Sequence, residues 1–476
     1  MKVKVLIQGT VSEVRFPNIG KVIPDKNQPP LPGADSLSED FRYIAPGPDH
    51  GSFTVKDVLP GQVIKASLGT KGKSGRVGHL LEVVSPAPYE QEAPCPYAAF
   101  CGGCRYQTVP YELQLQWKEQ QVRQLLADVP GIADADWQPI VPSPLPLGYR
   151  NKMEFSFGDA EKDGPLTLGL HKRGSHHDIL ETPGCLISHA DFGRVLAYTA
   201  DWCRAAGLSY HNTYNHIGYL RHLVLRRSFA DGSLLVNLVT STQASPDLGP
   251  WVKGLLELPL EGRIAGILHT ENDADGDLVQ CDRMEVLYGE PRLREELLGL
   301  RFEISPFSFF QTNSKGAEKL YSLVREFAGD VSRETVFDLY CGTGTIAQVM
   351  AAAGASKVYG IELVEEAVEA ALENARGNGL ENCEFYAGDV LKLVDELSCT
   401  PDLIILDPPR EGIHPKALPK LLAFAPKRFV YVSCKPSSLA RDLPAFTEAG
   451  YRVEKVRCCD MFPMTAGVET VALLVR

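Results

Sequence analysis

The sequence predicts an α/β protein in three parts: a small N-terminal β-barrel, a mixed α+β middle, and a C-terminal parallel sheet with helices on both faces. Three observations carry this. Short β-rich runs separated by Gly-containing turns fill residues 1 to 84; a cysteine cluster and a helical run follow; and after about Leu300 apolar strands alternate with helices. At 476 residues the chain exceeds what a single hydrophobic core supports. We place the domain boundaries at 1–88, 89–300 and 301–476.

In the first part, Lys2 to Ile7 and Gly61 to Leu68 read as barrel strands. Pro24 to His50 is rich in Pro, Gly, Ser and Asp and reads as a long surface loop, and Ser85-Pro86-Ala87-Pro88 as a linker. In the middle, Leu113, Trp117, Gln121 and Leu125 fall at helical spacing and predict a helix over Tyr111 to Ala127, which we expect to pack on the C-terminal domain. Ser233 to Thr240 and Ile264 to His269 read as strands. In the last part, Thr335 to Tyr340, Lys357 to Glu362, Asp402 to Asp407 and Arg428 to Ser433 are the strand runs. Ligands of such sheets bind outside the carboxyl ends of the strands.

No stretch approaches the roughly eighteen uninterrupted apolar residues of a membrane span, and the start lacks a signal-peptide pattern, so a cytoplasmic protein is expected. Twelve cysteines in such a protein favour metal binding or catalysis over disulfides. The net charge of −12 argues against a polyanionic partner, but its distribution does not. Residues 1 to 230 carry 24 basic and 23 acidic side chains, the remainder 24 and 37. Basic clusters at Arg150-Asn151-Lys152, His171-Lys172-Arg173 and Arg221 to Arg227 are candidates to face phosphates, and Tyr149 or Phe155 to stack on bases.

Asp338-Leu339-Tyr340-Cys341-Gly342-Thr343-Gly344-Thr345 follows the first C-terminal strand and opens a helix, a turn that lets a ligand approach the backbone and meet free N–H groups. Glu362, Asp389 and Asp407 each stand at the end of a following strand. Glu362 is placed to accept ribose hydroxyls and Asp389 to meet an adenine amino group. The turn lacks the third glycine of the dinucleotide pattern, which argues against a dehydrogenase. The order instead resembles the class I methyltransferases, Rossmann-like enzymes that bind S-adenosylmethionine.

Asp407-Pro408-Pro409-Arg410 resembles the loop of amino-methyltransferases, with Arg in place of the stacking aromatic. The next strand ends at Ser433-Cys434-Lys435-Pro436, presenting Cys434 at the same crevice. A thiolate there suits carbon-5 methylation of uracil: adding it to carbon 6 makes carbon 5 nucleophilic, and a base must later remove the carbon-5 proton. Glu469, on the last strand, is the candidate base.

Phe309-Phe310-Gln311-Thr312-Asn313, the Asp338 to Thr345 turn, Asp407 to Arg410, Ser433 to Pro436 with Leu439-Ala440-Arg441-Asp442, and the Phe462 to Glu469 run together closely resemble the uridine-5 RNA methyltransferases. The resemblance implies that Gln311, Tyr340, Thr345, Glu362, Asp389 and Asp407 line the S-adenosylmethionine site, with Cys434 the nucleophile and Glu469 the base. Lys435 stands where Asn is common in that family, and Gly467 where many members have His.

Cys95, Cys101 and Cys104, in a C-x5-C-x2-C pattern, and the distant Cys185 form a four-thiolate set suited to zinc or to a four-iron four-sulfur cluster. The family resemblance implies the iron–sulfur (4Fe-4S) cluster on these four. It also implies that the N-terminal barrel is a TRAM domain, an OB-like RNA-binding fold, with Pro24 to His50 as an insertion. The expected partner is structured RNA, with 23S ribosomal RNA ahead of transfer RNA, and no membrane. Cytosine-5 methylation typically uses a Pro-Cys loop, which Asp407 to Arg410 replaces here. A catalytically silent RNA-binding scaffold is the alternative from another class.

Overall fold

The computed structural model describes residues 4–25, 41–43, 51–72, 75–276, 279–394 and 399–476. Most of the predicted Pro24 to His50 loop lies outside them. The chain divides into two compact units.

The first unit comprises Met1–Ala93, Arg105–Leu125 and Met464–Ala466. Its strands are β1 (Lys4–Arg15), β2 (Ile19–Pro24), β3 (Phe41–Tyr43), β4 (Phe53–Lys56), β5 (Val63–Gly72) and β6 (Gly75–Ser85). Because β1 pairs with both β2 and β5, the order β1-β2-β4-β6-β5 closes on itself, leaving β3 outside against β1. Closure removes the open edges of a five-stranded sheet, and Ile7, Val11, Val22, Phe53, Val55 and Ile64 fill the interior. This is the predicted OB-like barrel. Helix α1 (Tyr111–Leu126) packs within this unit, where Leu113 and Trp117 lie against Leu59, Tyr89 and Tyr106. Gln114 accepts from the Met464 N–H (3.0 Å) and donates to its Sδ (3.2 Å), so the late Met464–Ala466 segment folds with the helix.

The second unit holds two large sheets. One has the order β10-β9-β8-β11-β12-β13-β14. Its strands are β8 (Lys152–Asp159), β9 (Leu166–His171), β10 (Ile179–Leu180), β11 (Leu220–Arg227), β12 (Leu234–Thr240), β13 (Ile264–Glu271) and β14 (Arg283–Gly289). Helices α2 (Ala190–Ala205) and α3 (Gly249–Leu256) cover it, burying Phe192, Val195 and Trp251 against Phe155, Leu223 and Val236. A hairpin of β15 (Leu293–Leu297) and β16 (Leu300–Ile304) follows.

The other sheet has eight strands: β17 (Thr335–Leu339), β18 (Lys357–Glu362), β19 (Cys383–Ala387), β20 (Leu403–Leu406), β21 (Arg428–Ser433), β22 (Arg452–Cys459), β23 (Glu469–Val475) and, from far earlier in the chain, β7 (Asp136–Val141). The order is β19-β18-β17-β20-β21-β23-β22-β7. Strands β17 to β21 are mutually parallel, and β23 enters antiparallel beside β21. Successive side chains of a strand face opposite ways. Val430 and Val432 therefore join the core beneath α4 (Ser314–Ala328), α5 (Thr345–Ala352) and α6 (Glu365–Gly377). Phe429 and Tyr431 meet Phe446 of the helix Pro436–Glu448 on the other face. Among the described residues no helix is long and apolar enough to cross a membrane.

A buried polar chain joins these parts of the second unit. The Asn151 amide donates to the Gln311 carbonyl and to Ser314 Oγ, both at 2.8 Å. Ser314 Oγ donates to the buried Glu295 carboxylate (2.7 Å), which also accepts the N–H groups of Phe229 and Ala230 (3.0 Å each). Glu295→Ala leaves these donors buried and unpaired, each at a cost of about 1–3 kcal/mol. We expect a loss of roughly 3–5 kcal/mol in urea unfolding of the second unit.

Candidate active site

The crevice forms at the carboxyl ends of the parallel strands. After β17 the chain turns through Tyr340, Gly342 and Gly344, all with positive φ (66°, 53° and 73°), and Gly344 caps α5. Asp338 is buried below the turn, and its Oδ2 accepts the Ala347 N–H (2.8 Å). Burial first, then the nearby Asp407, holds the Asp338 carboxyl well above the ordinary range.

The predicted cofactor residues surround this turn. Glu362 Oε2 accepts the Gly342 N–H (2.9 Å), and Oε1 accepts those of Leu363 (2.8 Å) and Val364 (3.0 Å), tying the turn to the start of α6. Asp389 is exposed and accepts the Leu391 N–H (2.9 Å). Burial, then the Asp389 and Asp442 charges, pushes Tyr340 up to about 12. Thr345 Oγ1 donates to the buried Tyr321 hydroxyl (3.2 Å), which the Gln311 side chain also reaches. Gln311 and Thr345 thus meet through Tyr321, a residue that no motif singles out. The structure adds an apolar rim: Phe309, whose ring lies over Gly342, and Leu363 are exposed beside the turn.

Cys434 and Glu469 face each other by register. Ser433 of β21 pairs with Thr470 of β23, so the next positions on the two strands are Cys434 and Glu469. Asp407 and Arg410 complete the group. Glu469 is buried; burial and then Asp407 push its carboxyl up to about 8, with Arg410 opposing. Burial alone takes Asp407 up to about 7. The partly exposed Cys434 thiol is pushed up to about 11 by burial and then by Glu469 and Asp407, again opposed by Arg410. A weakly acidic thiol, a proton-accepting carboxylate and a cation therefore share one small space.

The cysteine set lies elsewhere in the second unit. Cys95 and Cys101 are buried, Cys104 and Cys185 partly exposed, and none of the four is in a disulfide. Gly102 N–H donates to His171 O (3.0 Å), Arg173 donates to the carbonyls of Ala98 (2.8 Å) and Cys104 (3.1 Å), and Gly184 N–H donates to the Tyr97 hydroxyl (3.1 Å). Burial raises the Cys101 thiol, the Gly103 N–H opposes this from 3.4 Å, and the Cys185 and Cys95 thiols add to the rise. Among the described residues no group of three or more His, Cys, Asp or Glu is disposed to hold a metal ion, so a ready-made cage is not shown.

Several expected RNA contacts are instead structural. Arg173 is committed to carbonyls as described, Lys172 donates to Ala160 O, and Lys152 pairs with Glu154. Arg221 donates to the carbonyls of Asn272, Ala274 and Gly276, and the buried Arg226 to those of Pro306 and Ser308. Tyr149 and Phe155 are core residues, the former donating to Pro463 O (3.0 Å). Cationic residues near irregular backbone were bound by unpaired carbonyls, a demand that composition does not reveal.

The fold and crevice define a methyltransferase: residues 330–449 match the family model described as a methyltransferase domain. Over 424 residues the chain is 48% identical to an uncharacterized RNA methyltransferase of Clostridium tetani, spanning 89% of this chain and 92% of that one. It is 50% identical over 405 residues to another from Caldanaerobacter subterraneus, spanning 85% and 89%. The chain belongs to this family of RNA methyltransferases. Its fold is that of the Pyrococcus abyssi tRNA (uracil-54, C5)-methyltransferase solved with S-adenosyl-L-homocysteine, with a TM-score of 0.72 at 24% identity over 98% of this chain and all of the other.

The loop carrying Asp407 and Arg410 is clamped from the following helix. Asp442 Oδ2 accepts from Ile413 N (2.9 Å) and the Tyr431 hydroxyl (2.8 Å), and Ser438 Oγ donates to Arg410 O (2.6 Å). Gly412 has φ 77°, and a Cβ there would lie 2.6 Å from Asp442 Oδ2. Asp442→Ala strands two buried donors, so we expect about 2–3 kcal/mol less stability by urea unfolding and slower methyl transfer to RNA.

Proposed function

We propose that the protein transfers a methyl group from S-adenosylmethionine to carbon 5 of a uridine in structured RNA, through a covalent bond between Cys434 and carbon 6. The observation that carries this is the convergence of Cys434, Glu469, Asp407 and Arg410 at neighbouring strand ends. S-adenosylmethionine, when bound, supplies the methyl group from its sulfonium. In this reading Glu362 accepts the ribose hydroxyls and Asp389 the adenine amino group, while Gln311, Tyr340, Thr345 and Asp407 line the rest. The target base leaves its stack to reach the crevice.

Cys434 acts first, as thiolate: its sulfur bonds to carbon 6, and the electrons of the 5,6 double bond move toward oxygen 4, leaving carbon 5 nucleophilic. Once carbon 5 carries the methyl group, Glu469 takes its remaining hydrogen as a proton. Those electrons restore the double bond and the Cys434 sulfur leaves. Arg410, by opposing the upward shift of both groups, favours the charged forms that these steps need.

We take 23S ribosomal RNA as the substrate, on the strength of the N-terminal barrel, read as a TRAM module within residues 1–88, and of the four cysteines. The second reading is transfer RNA, which the Pyrococcus neighbour's own description favours. Mass mapping of 5-methyluridine in both RNAs from cells lacking the gene decides between them. Loss from neither would remove uridine methylation and favour a scaffold role. A cytoplasmic location accords with either RNA.

The same reading gives Cys95, Cys101, Cys104 and Cys185 a four-iron four-sulfur cluster. Four cysteines outside any disulfide, on two laced segments and with an N–H aimed at one sulfur, suit its donor chemistry. Protein purified without oxygen should be brown, with about four irons and as many sulfides per chain. Stoichiometric zinc without visible absorbance would overturn the assignment.

The two catalytic roles separate by where each variant stops. Cys434→Ala should form no covalent bond to RNA and transfer no methyl group. Glu469→Gln should accumulate a methylated protein–RNA adduct that survives denaturant, and wild-type protein should form a similar adduct on RNA containing 5-fluorouridine. Glu469 must be unprotonated to act, and its acidity constant stands near 8 rather than at 4.5. Resolution of the wild-type adduct should therefore speed up roughly tenfold per pH unit below that value and level off above it. Turnover by Cys434→Ala would defeat the covalent mechanism; turnover by Glu469→Gln would move the base role elsewhere.

A further inference from the structure

A second cavity, of about 380 Å³, opens in the seven-stranded sheet at its β8-β9-β10 edge. Phe157 and Gly158 of β8 form part of its lining, with His177 and Asp178 from the segment before β10, and Tyr210, His211 and Tyr214 from the loop before β11. Tyr214 and His177 join the two walls: the hydroxyl lies 2.6 Å from Nε2, and the rings are 5.0 Å apart at 41°. Tyr210 is fixed by donating to Asp159 Oδ2 (3.0 Å). His171 also lines the cavity, and its Nδ1 is buried with no hydrogen-bond partner among the described residues.

The lining is rich in rings and poor in available cations. Its lysine and arginine are Lys162 and Arg221, the latter engaged with three carbonyls; its four histidines, His171, His176, His177 and His211, are uncharged when neutral, whereas Asp159, Asp163 and Asp178 supply three carboxylates. With its imidazoles neutral, such a site disfavours a phosphate and suits a flat, neutral heteroaromatic ring. Imidazole and phenol rings offer stacking faces, and carboxylates accept hydrogen bonds from exocyclic amino groups. The volume is in the range of small-ligand pockets and accommodates a nucleoside.

We infer that this cavity binds one unpaired base of the RNA substrate that carries an exocyclic amino group, as uracil does not, apart from the base that is methylated. The inference takes RNA as the substrate from the family and does not depend on which atom receives the methyl group. Holding a neighbouring base here would fix the register of the strand that enters the crevice.

The test uses the full-length protein with fluorescently labelled hexanucleotides of adenosine, cytidine and uridine, read by anisotropy. The adenosine or cytidine probe should bind roughly tenfold more tightly than the uridine probe, a ratio of the size that a hydrogen bond from an amino group to a carboxylate supplies. Tyr214→Ala and His177→Ala should each abolish that preference. Tyr214 is 74% exposed, so its truncation leaves the core intact, and S-adenosylmethionine affinity serves as the control for folding. Equal binding of the three probes, or an unchanged preference in both variants, overturns the inference. Preferential binding by a wild-type protein that is found to methylate no uridine would leave the cavity in place and remove the carbon-5 reading instead.

Discussion

The geometry of the crevice depends on a short buried polar chain running from Asn151 through Ser314 to Glu295. It anchors Phe309 to Asn313, the segment that brings Gln311 to Tyr321 and lays Phe309 over the Gly342 turn. Asn313 extends the chain by donating to Met461 O (2.9 Å) while its own oxygen caps α4 at Gly316 N (2.8 Å). Each bond adds only about 1 kcal/mol net, but each buried donor left unpaired costs about 1–3 kcal/mol. The network therefore contributes less to stability than to uniqueness: alternative placements of this segment are penalised several times over.

Above that frame the dominant physics is crowding of acids. Asp338, Asp407 and Glu469 are all held above the ordinary carboxyl range by burial, and Asp407 bears on each of the other two. Arg410 is the cation that opposes the rise at Cys434 and Glu469. A pocket so arranged disfavours its carboxylates and becomes more anionic when a positive charge enters. In the proposed reaction the sulfonium of the methyl donor is such a charge, so binding the donor favours the thiolate and carboxylate forms that the later steps use.

Much of the catalytic sheet was legible because its strands are short apolar runs that end on polar residues. Lys357–Glu362 and Arg428–Ser433 agree with the sequence reading to the residue. A parallel strand buried on both faces has little freedom to be anything else. β7 was not legible. Its Asp136–Val141 run is only partly buried and owes its strand form to pairing with β22, more than three hundred residues away. Nor was the internal use of Arg173, Arg221 and Arg226, since a guanidinium satisfying carbonyls has the same sequence signature as one facing phosphate. Tyr321 lies in an amphipathic helix where nothing separates it from ordinary core residues.

The Asp407 to Arg410 loop shows how the two halves of the proposed chemistry are kept in step. Pro408 and Pro409 lack N–H groups and fix their own φ angles, so the loop is stiff but has few donors with which to hold itself in place. Its anchors come from outside: Arg410 O and Glu411 O accept from Ser438 and Arg441, and Ile413 N donates to Asp442. All three partners lie on the helix Pro436–Glu448, which begins two residues after Cys434. One rigid element thus sets both where the thiol stands and where Asp407 and Arg410 stand around it. The spacing between the Leu439-Ala440-Arg441-Asp442 run and Cys434 follows from this double duty: about two turns of helix carry the chain from the proposed nucleophile to Arg441 and Asp442, which hold the loop of its electrostatic partners.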